Sequence, residues 1–399
     1  MDGSPQRTLL ITLTGRDRPG VTSRLFTTLS RFAITVVDVE QVVIRGRLVL
    51  GVLVAYDTGT DIGQVWSAAE EVAADLDMEI ELSTGREKRT PRRRGRLHVT
   101  VLGSPLLPAA MAGMAGRIAA YGANIDRIER LAAHPVTCIE LEVSGADPDG
   151  LRAALAAEAV EQQVDVAVQR AGLYRKAKRL IVMDVDSTLI QGEVIELLAK
   201  HAGCEDKVAE ITEAAMRGEL DFAGALRERV ALLAGLSATA VDDVRRSVEL
   251  ASGARTFVRT LKRLDYRFAI VSGGFTHVTD ALVADLGIDY AAANTLEIVD
   301  GRLTGRLTGP IIDRPAKAAA LRRFAADAGV PVSQTVAIGD GANDLDMIQA
   351  AGLGIAYNAK PVVRQLADTA VNVPHMDAIL FLLGISGEEI EAADAEDTQ

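Results

Sequence analysis

The chain has 399 residues, 48% of them apolar and 25% charged, and carries a net charge of −12. That is material for two or three domains with cores of their own, and it excludes a chain disordered throughout. The acidic balance argues against nucleic acid or an anionic membrane as partner, and no apolar run reaches the about 18 residues of a spanning helix. The first residues lack the basic flank and apolar stretch of a signal peptide. Cys138 and Cys204 lie far apart with no C-x-x-C spacing, which fits a reduced, cytoplasmic setting better than a disulfide scaffold or a zinc site.

Aromatic residues are scarce at 4% and alanine is abundant, a bias toward α/β architecture over all-β. In chain order, residues 7–14 read as a strand, and Gly15-Arg16-Asp17-Arg18-Pro19-Gly20 opens a helix. Two β-branched runs joined by a glycine turn follow, then a helix and a short strand. The order is βαββαβ. Residues 96–170 repeat it with little identity, so the two stretches form an internal duplication. Between them, Arg86 to Gly95 is a basic, proline-containing stretch that reads as a solvated linker.

From residue 178 strands alternate with helices, the rhythm of a doubly wound, Rossmann-like parallel sheet with crossover helices. About 194–254 breaks that rhythm with helices alone, as a cap inserted after the first strand would. The predicted division is 1–85, linker 86–95, 96–170, a catalytic-type domain 178–386, and an acidic tail 387–399 that should fray.

Three strand ends carry chemistry. Asp184 and Asp186 follow the apolar run Leu180–Met183, and strand alternation would point both to one side. Two such carboxylates repel unless a hard cation such as Mg²⁺ bridges them. Ser272-Gly273-Gly274 ends a second strand, with a hydroxyl and backbone N–H groups suited to a phosphate. Asp340, Asn343 and Asp344 end a third, where glycines permit a sharp turn. Lys317, near a helix start, offers a fixed positive charge. Each piece alone has a plainer reading: an N-cap pair, a loop, a turn, a solvated lysine. Their order along the chain, each at the carboxyl edge of the sheet, carries the catalytic reading.

This set resembles the haloacid dehalogenase superfamily, with its D-x-D-x-T, Ser/Thr, Lys and G-D-x-x-x-D motifs. The resemblance implies Asp184 as the nucleophile that forms an aspartyl-phosphate and Asp186 as acid and then base. It implies Mg²⁺ held by Asp184, Asp340 and the backbone carbonyl of Asp186. It implies phosphoryl oxygens held by Ser272, the Gly273 N–H and Lys317, with Asp344 and Asn343 in support.

In the cap, Glu193 and Arg229 are a carboxylate and a guanidinium that a zwitterionic substrate would need, and Met216 and Phe222 could exclude water. Singly, these are ordinary helix and core residues. The runs around them are similar to the phosphoserine phosphatase family. That likeness implies hydrolysis of L-phosphoserine to L-serine and phosphate, the last step of serine biosynthesis. It gives Glu193 to the substrate amine, Arg229 to its carboxylate, and Met216 and Phe222 to closing the pocket.

The duplicated βαββαβ units resemble ACT domains, ferredoxin-like α+β modules that bind amino acids. The resemblance implies feedback by L-serine or another amino acid, with Gly20 and Asp17 as candidate ligand residues. It also implies a homodimer, with Asn124 at a shared interface. The second unit lacks the Asp-Arg-Pro-Gly signature of the first. At this level a phosphatase for phosphoprotein or phosphothreonine, a phosphotransferase to an alcohol, and an amino-acid sensor all remain open.

Overall fold

The computed structural model describes residues 7–86, 96–172, 175, 177–216 and 219–396, with the side chain of Met216 excepted. Most of the basic linker therefore lies outside the described residues. Contacts divide the chain into two compact units, one ending at Arg92 and one starting at Arg93.

The first unit is β1 (Arg7–Arg16), α1 (Val21–Leu29), β2 (Ile34–Ile44), β3 (Arg47–Tyr56), α2 (Ile62–Asp75) and β4 (Glu79–Arg86). Its antiparallel sheet has the order β2-β3-β1-β4. Alternation buries Leu9, Ile11 and Leu13 of β1 and Leu48, Leu50, Val52 and Val54 of β3 against Val21, Leu25, Val65 and Val72 of the two helices. Arg45 and Gly46 both take positive φ, 48° and 75°, which closes the β2–β3 hairpin in its native twist. The edge strand β2 differs: Val36, Val39, Val42, Val43 and Ile44 are all exposed.

The second unit begins with the repeat: β5 (Leu97–Gly103), α3 (Pro108–Ala120), β6 (Asn124–Ala132), β7 (Thr137–Ser144), α4 (Pro148–Gln162) and β8 (Asp165–Arg170). It continues with β9 (Leu180–Met183) and the cap helices α5 (Val194–Ala202), α6 (Glu205–Met216), α7 (Phe222–Ala231) and α8 (Ala238–Ser247). Next come α9 (Ala254–Arg263), β10 (Arg267–Phe275), α10 (Thr276–Leu286), β11 (Tyr290–Val299), β12 (Arg302–Thr308) and α11 (Arg314–Asp327). The chain closes with β13 (Thr335–Gly339), α12 (Leu345–Ala350), β14 (Gly354–Tyr357), α13 (Pro361–Leu366), β15 (Thr369–Val371), α14 (Ile379–Leu382) and α15 (Gly387–Glu396).

One 11-stranded sheet runs through this unit in the order β12-β11-β10-β9-β13-β14-β15-β8-β5-β7-β6. Strands β11 to β15 of the order, through β9, pair in parallel. Leu180 to Met183 are all fully buried, as a strand covered on both faces must be. The second repeat does not stand apart, because β8 joins β15 antiparallel at Thr369 and Ala167. The Asp165 carboxylate secures the joint by accepting from Asn372 N and Nδ2, both at 2.6 Å, and from Val373 N at 3.1 Å. Nearby, buried Arg175 grips both oxygens of buried Glu140 and donates to the Leu382 carbonyl at 3.3 Å.

The acidic end departs from the expected fraying. Gly387–Glu396 is helical, Ile390 is buried, and Asp394 pairs with Arg259 at 2.5 Å and Arg263 at 2.8 Å. An acid that finds two arginines and an apolar anchor holds a helix that charge alone would not suggest.

Candidate active site

The first strand of the catalytic sheet, β9, lies between β10 and β13. The chain leaves it toward β10 and later crosses to β13 on the other side. That is a topological switch point, and the crevice at the carboxyl ends of such strands is where ligands bind. Asp184 follows β9 and donates its N–H to the Ile338 carbonyl of β13 at 2.9 Å.

The chain does not stay extended past Asp184. Val185–Leu189 form a turn in which Asp186 is extended and Ser187 is left-handed at φ 57°. A non-glycine residue held there stores local strain of about 1–3 kcal/mol. The two acids therefore converge through a turn and not through strand alternation.

Lys317 reaches the same point from α11. It is 0% exposed and donates to Asp184 Oδ1 at 2.5 Å and to Asp344 Oδ1 at 2.6 Å. Burial opposes its charge, yet the two carboxylates hold the ammonium above its usual range. Asp184 is pushed well above the usual carboxylate range by burial and by the charge of Asp344, against the pull of Lys317. Asp344 also accepts from Gly341 N at 3.0 Å, and a Cβ on Gly339 would stand 2.6 Å from its Cγ. Asn343 folds over Gly341, whose missing Cβ would meet Asn343 Oδ1.

Asp184, Asp340 and Asp344 each offer an oxygen, all within 4.8 Å of one another. One lysine cannot neutralise three carboxylates: burial and Asp344 push Asp340 up to about 6. The donors are carboxylate oxygens without sulfur or imidazole, a set that suits a hard divalent cation. The side chain of Asp186 is not in this group. Its Oδ1 accepts from Val194 N at 2.8 Å and its Oδ2 from Ser272 Oγ at 2.9 Å. Burial raises its carboxyl, and those two bonds oppose the rise. Two neighbouring acids thus sit in different settings, one against a cation and one against neutral donors.

Ser272 is fully buried, and its Oγ also accepts from Gly274 N at 2.7 Å. That N–H is therefore committed within the loop. The glycines are required here: a Cβ on Gly274 would stand 2.6 Å from Asp186 Oδ2, and one on Gly273 would stand 3.0 Å from Phe222 Cζ. Phe222 thus brings the cap over the Ser272–Gly274 loop.

Glu193 starts α5, accepts from Ser187 Oγ at 3.3 Å, and is pushed up to about 7 by burial and then by Asp186 and Asp340. Arg229, half-buried on α7, feels the opposite charges of Glu193 and Asp186, while burial lowers its affinity for the proton. It donates to Thr212 Oγ1 at 3.4 Å. Met216 ends α6, and its side chain lies outside the described residues.

Three further residues complete the site. Thr188, fully buried, donates to Asp340 Oδ1 at 3.2 Å. Asn294 of β11 is buried, donates to the Gly273 carbonyl at 2.8 Å and accepts from Ile312 N at 2.9 Å. Thr212 holds Arg229. Thr188 was visible as the last position of D-x-D-x-T. Asn294 carries no motif and lies in a strand that the strand-end reading passes over.

The ACT-type candidates belong to the two βαββαβ repeats. Gly20, at φ 93°, begins α1, and Asp17 N donates to the Gly46 carbonyl at 2.8 Å. Asn124, exposed at the start of β6, donates to Asp126 Oδ1 at 2.8 Å.

The chain matches the family model described as haloacid dehalogenase-like hydrolase over residues 181–349, and ACT domain models over 7–83 and 97–169. It is 61% identical to a phosphoserine phosphatase of Streptomyces coelicolor over 97% of this chain and 94% of that one. It is 52% identical to a phosphoserine phosphatase of Mycobacterium tuberculosis over 98% of this chain and 96% of that one. A solved structure of a probable phosphoserine phosphatase from Vibrio cholerae, in unliganded form, is similar with a TM-score of 0.59 at 34% identity. That match covers 76% of this chain and 91% of the other.

Proposed function

The chain belongs to the phosphoserine phosphatase family, within the haloacid dehalogenase-like hydrolases, and from that premise we propose that it hydrolyses L-phosphoserine to L-serine and phosphate. The observation that carries the reading is the split between the two acids: Asp184 against Lys317, Asp186 against Ser272 and Val194 N–H. We read the carboxylate beside the buried ammonium as the nucleophile and the carboxyl held by neutral donors as the acid and then the base.

Asp184 attacks phosphorus, the bond from phosphorus to the serine oxygen breaks, and Asp186 gives its proton to the leaving alkoxide. A water then attacks the aspartyl-phosphate and gives a proton to Asp186. The bond from phosphorus to Asp184 breaks and phosphate departs. Lys317, the Gly273 N–H and Ser272, which exchanges its bond to Asp186 for one to substrate, hold the phosphoryl oxygens as charge develops. Asp344 positions Lys317, and Asn343 supports the phosphate side of the loop. Asp184, Asp340 and the backbone carbonyl of Asp186 would hold Mg²⁺, which when bound screens the carboxylates from the phosphoryl oxygens.

In the cap, Glu193 takes the substrate ammonium and Arg229 its carboxylate, while Phe222 and Met216 close over the pocket. Residues 1–85 and 96–170 act as ACT domains joined by the 86–95 linker, with 178–386 as the phosphatase domain. L-serine or another amino acid regulates the enzyme there, with Asp17 and Gly20 as contacts. The apolar, exposed β2 supports a homodimer, with Asn124 at an interface. Two free cysteines support a cytoplasmic setting.

Phosphate release from L-phosphoserine and from p-nitrophenyl phosphate tests the reading. Arg229→Ala should lower kcat/KM for phosphoserine by about 100-fold and for the aryl ester by less than about threefold. Equal losses on both would remove Arg229 as the carboxylate clamp.

A further inference from the structure

A cleft of about 440 Å³ lies between α10 and the segment by which the cap returns to the core. Val278, Ala281 and Leu282 of α10, at helical spacing, face Leu250 across it. Arg245, at the end of α8, and Glu249 stand at its rim. One end is closed by Arg255 paired with Asp285 at 2.7 Å, so those two charges cancel.

The other two charges remain open to a ligand. Glu249 has no ion pair among the described residues. Arg245 is an exposed guanidinium whose ion partner, Asp242, lies one helical turn back at 3.4 Å, a weak surface contact. The cleft thus sets an apolar wall beside an exposed guanidinium in a weak surface pair and a carboxylate without an ion pair among the described residues. Its volume is within the about 300–1,000 Å³ of small-molecule sites.

Its position gives occupation a consequence. The chain enters the cap through Leu189–Gln191 and leaves it through Glu249–Ala251, and these two passes are bonded together. Gln191 N donates to the Glu249 carbonyl at 2.9 Å, Ala251 N donates to the Leu189 carbonyl at 2.9 Å, and Ile190 bridges Leu250. The cleft wall therefore includes one of the two paired segments that connect the cap to the core.

We propose that this cleft binds a small zwitterion with an apolar side chain, of the α-amino-acid class, whose occupation biases the position of the cap. The carboxylate lies on Arg245, the ammonium on Glu249, and the side chain on Leu250 and Ala281. A ligand that fits one hinge position better than another shifts the balance between them. The site uses none of the residues assigned to phosphoserine or to the ACT units.

The test is binding of L-leucine to the full chain without substrate, by calorimetry and saturation-transfer NMR, so it stands whether or not phosphoserine is hydrolysed. Isocaproate, which lacks the ammonium, and isoamylamine, which lacks the carboxylate, should bind about tenfold more weakly. Ala281→Trp, which fills the cleft, should weaken leucine by at least about tenfold, and Arg245→Ala and Glu249→Ala by about fivefold each. Asp17→Ala should leave this binding in place. Arg245 and Glu249 are exposed, so their variants keep the test intact if the tryptophan variant fails to fold. Absence of leucine binding, survival of full affinity in all three cleft variants, or its loss in Asp17→Ala would overturn the proposal.

Discussion

Lys317→Met removes the cation on which the catalytic crevice is built. The lysine is fully buried and touches two carboxylates, Asp184 and Asp344, whose side chains are 4% and 0% exposed. Methionine keeps the length and loses the charge, so both acids remain buried without their partner. Removing one member of a buried ion pair costs about 3–5 kcal/mol, far more than a surface pair. For a domain of about 200 residues each kcal/mol moves the midpoint by about 2–4 °C, so metal-free protein should melt about 6–20 °C lower. Turnover should fall further, by about 100- to 1,000-fold, because the same ammonium is the group proposed to hold the phosphoryl oxygens. Differential scanning calorimetry with chelator present and phosphate release with Mg²⁺ present give the two numbers. A midpoint within about 2 °C of wild type, with activity within about threefold, would refute the reasoning from buried charge.

Three further substitutions follow from particular contacts. Asn294→Ala unpairs the Gly273 carbonyl and the Ile312 N–H, so kcat should fall about tenfold with a stability loss of about 1–3 kcal/mol, read by steady-state kinetics and urea denaturation. Glu193 is held at about 7 against a usual 4.5, so the folded state keeps a proton that the unfolded chain has lost; stability should fall as pH rises from about 4.5 to 7, and Glu193→Gln should flatten that slope in denaturation curves. In the same variant KM for phosphoserine should rise and lose its decrease with pH near 7, since only the ionised carboxylate attracts the ammonium. Arg175→Met takes the guanidinium from buried Glu140 but leaves His98 at 3.0 Å, so stability should fall by less than the about 3–5 kcal/mol of a fully unpaired buried charge, read by thermal unfolding, while turnover at low temperature stays within about threefold.

The polar strand ends that meet in one crevice were legible because residue chemistry and topology coincide there. A buried apolar strand followed at once by an acid has few other uses, and Asp184 and Asp340 sit at such points, with Ser272 at the end of a third apolar run. The βαββαβ repeats were legible from periodicity alone. What escaped is non-local. The pair β11 and β12 was not among the strands read from the sequence, although Asp300-Gly301, with φ values of 50° and 72°, makes a hairpin turn. With β11 went Asn294, whose role depends on a carbonyl in another strand. The continuity of β15 with β8 rests on a single residue pair and on Asp165, more than 200 positions from Asn372. No local pattern encodes it. The helical end at Gly387–Glu396 escaped because its stability comes from Arg259 and Arg263 on α9 and not from its own composition.

The central claim is that Asp184 carries the phosphoryl group of L-phosphoserine. Its most direct test is a single-turnover reaction of full-length protein with radiolabelled phosphoserine and Mg²⁺, acid-quenched within the first turnover and digested for mass spectrometry. The account predicts label on the peptide that contains Asp184, released by hydroxylamine as an acyl-phosphate is, and absent from Asp184→Asn. Turnover without a labelled protein, or label on any other residue, would contradict it.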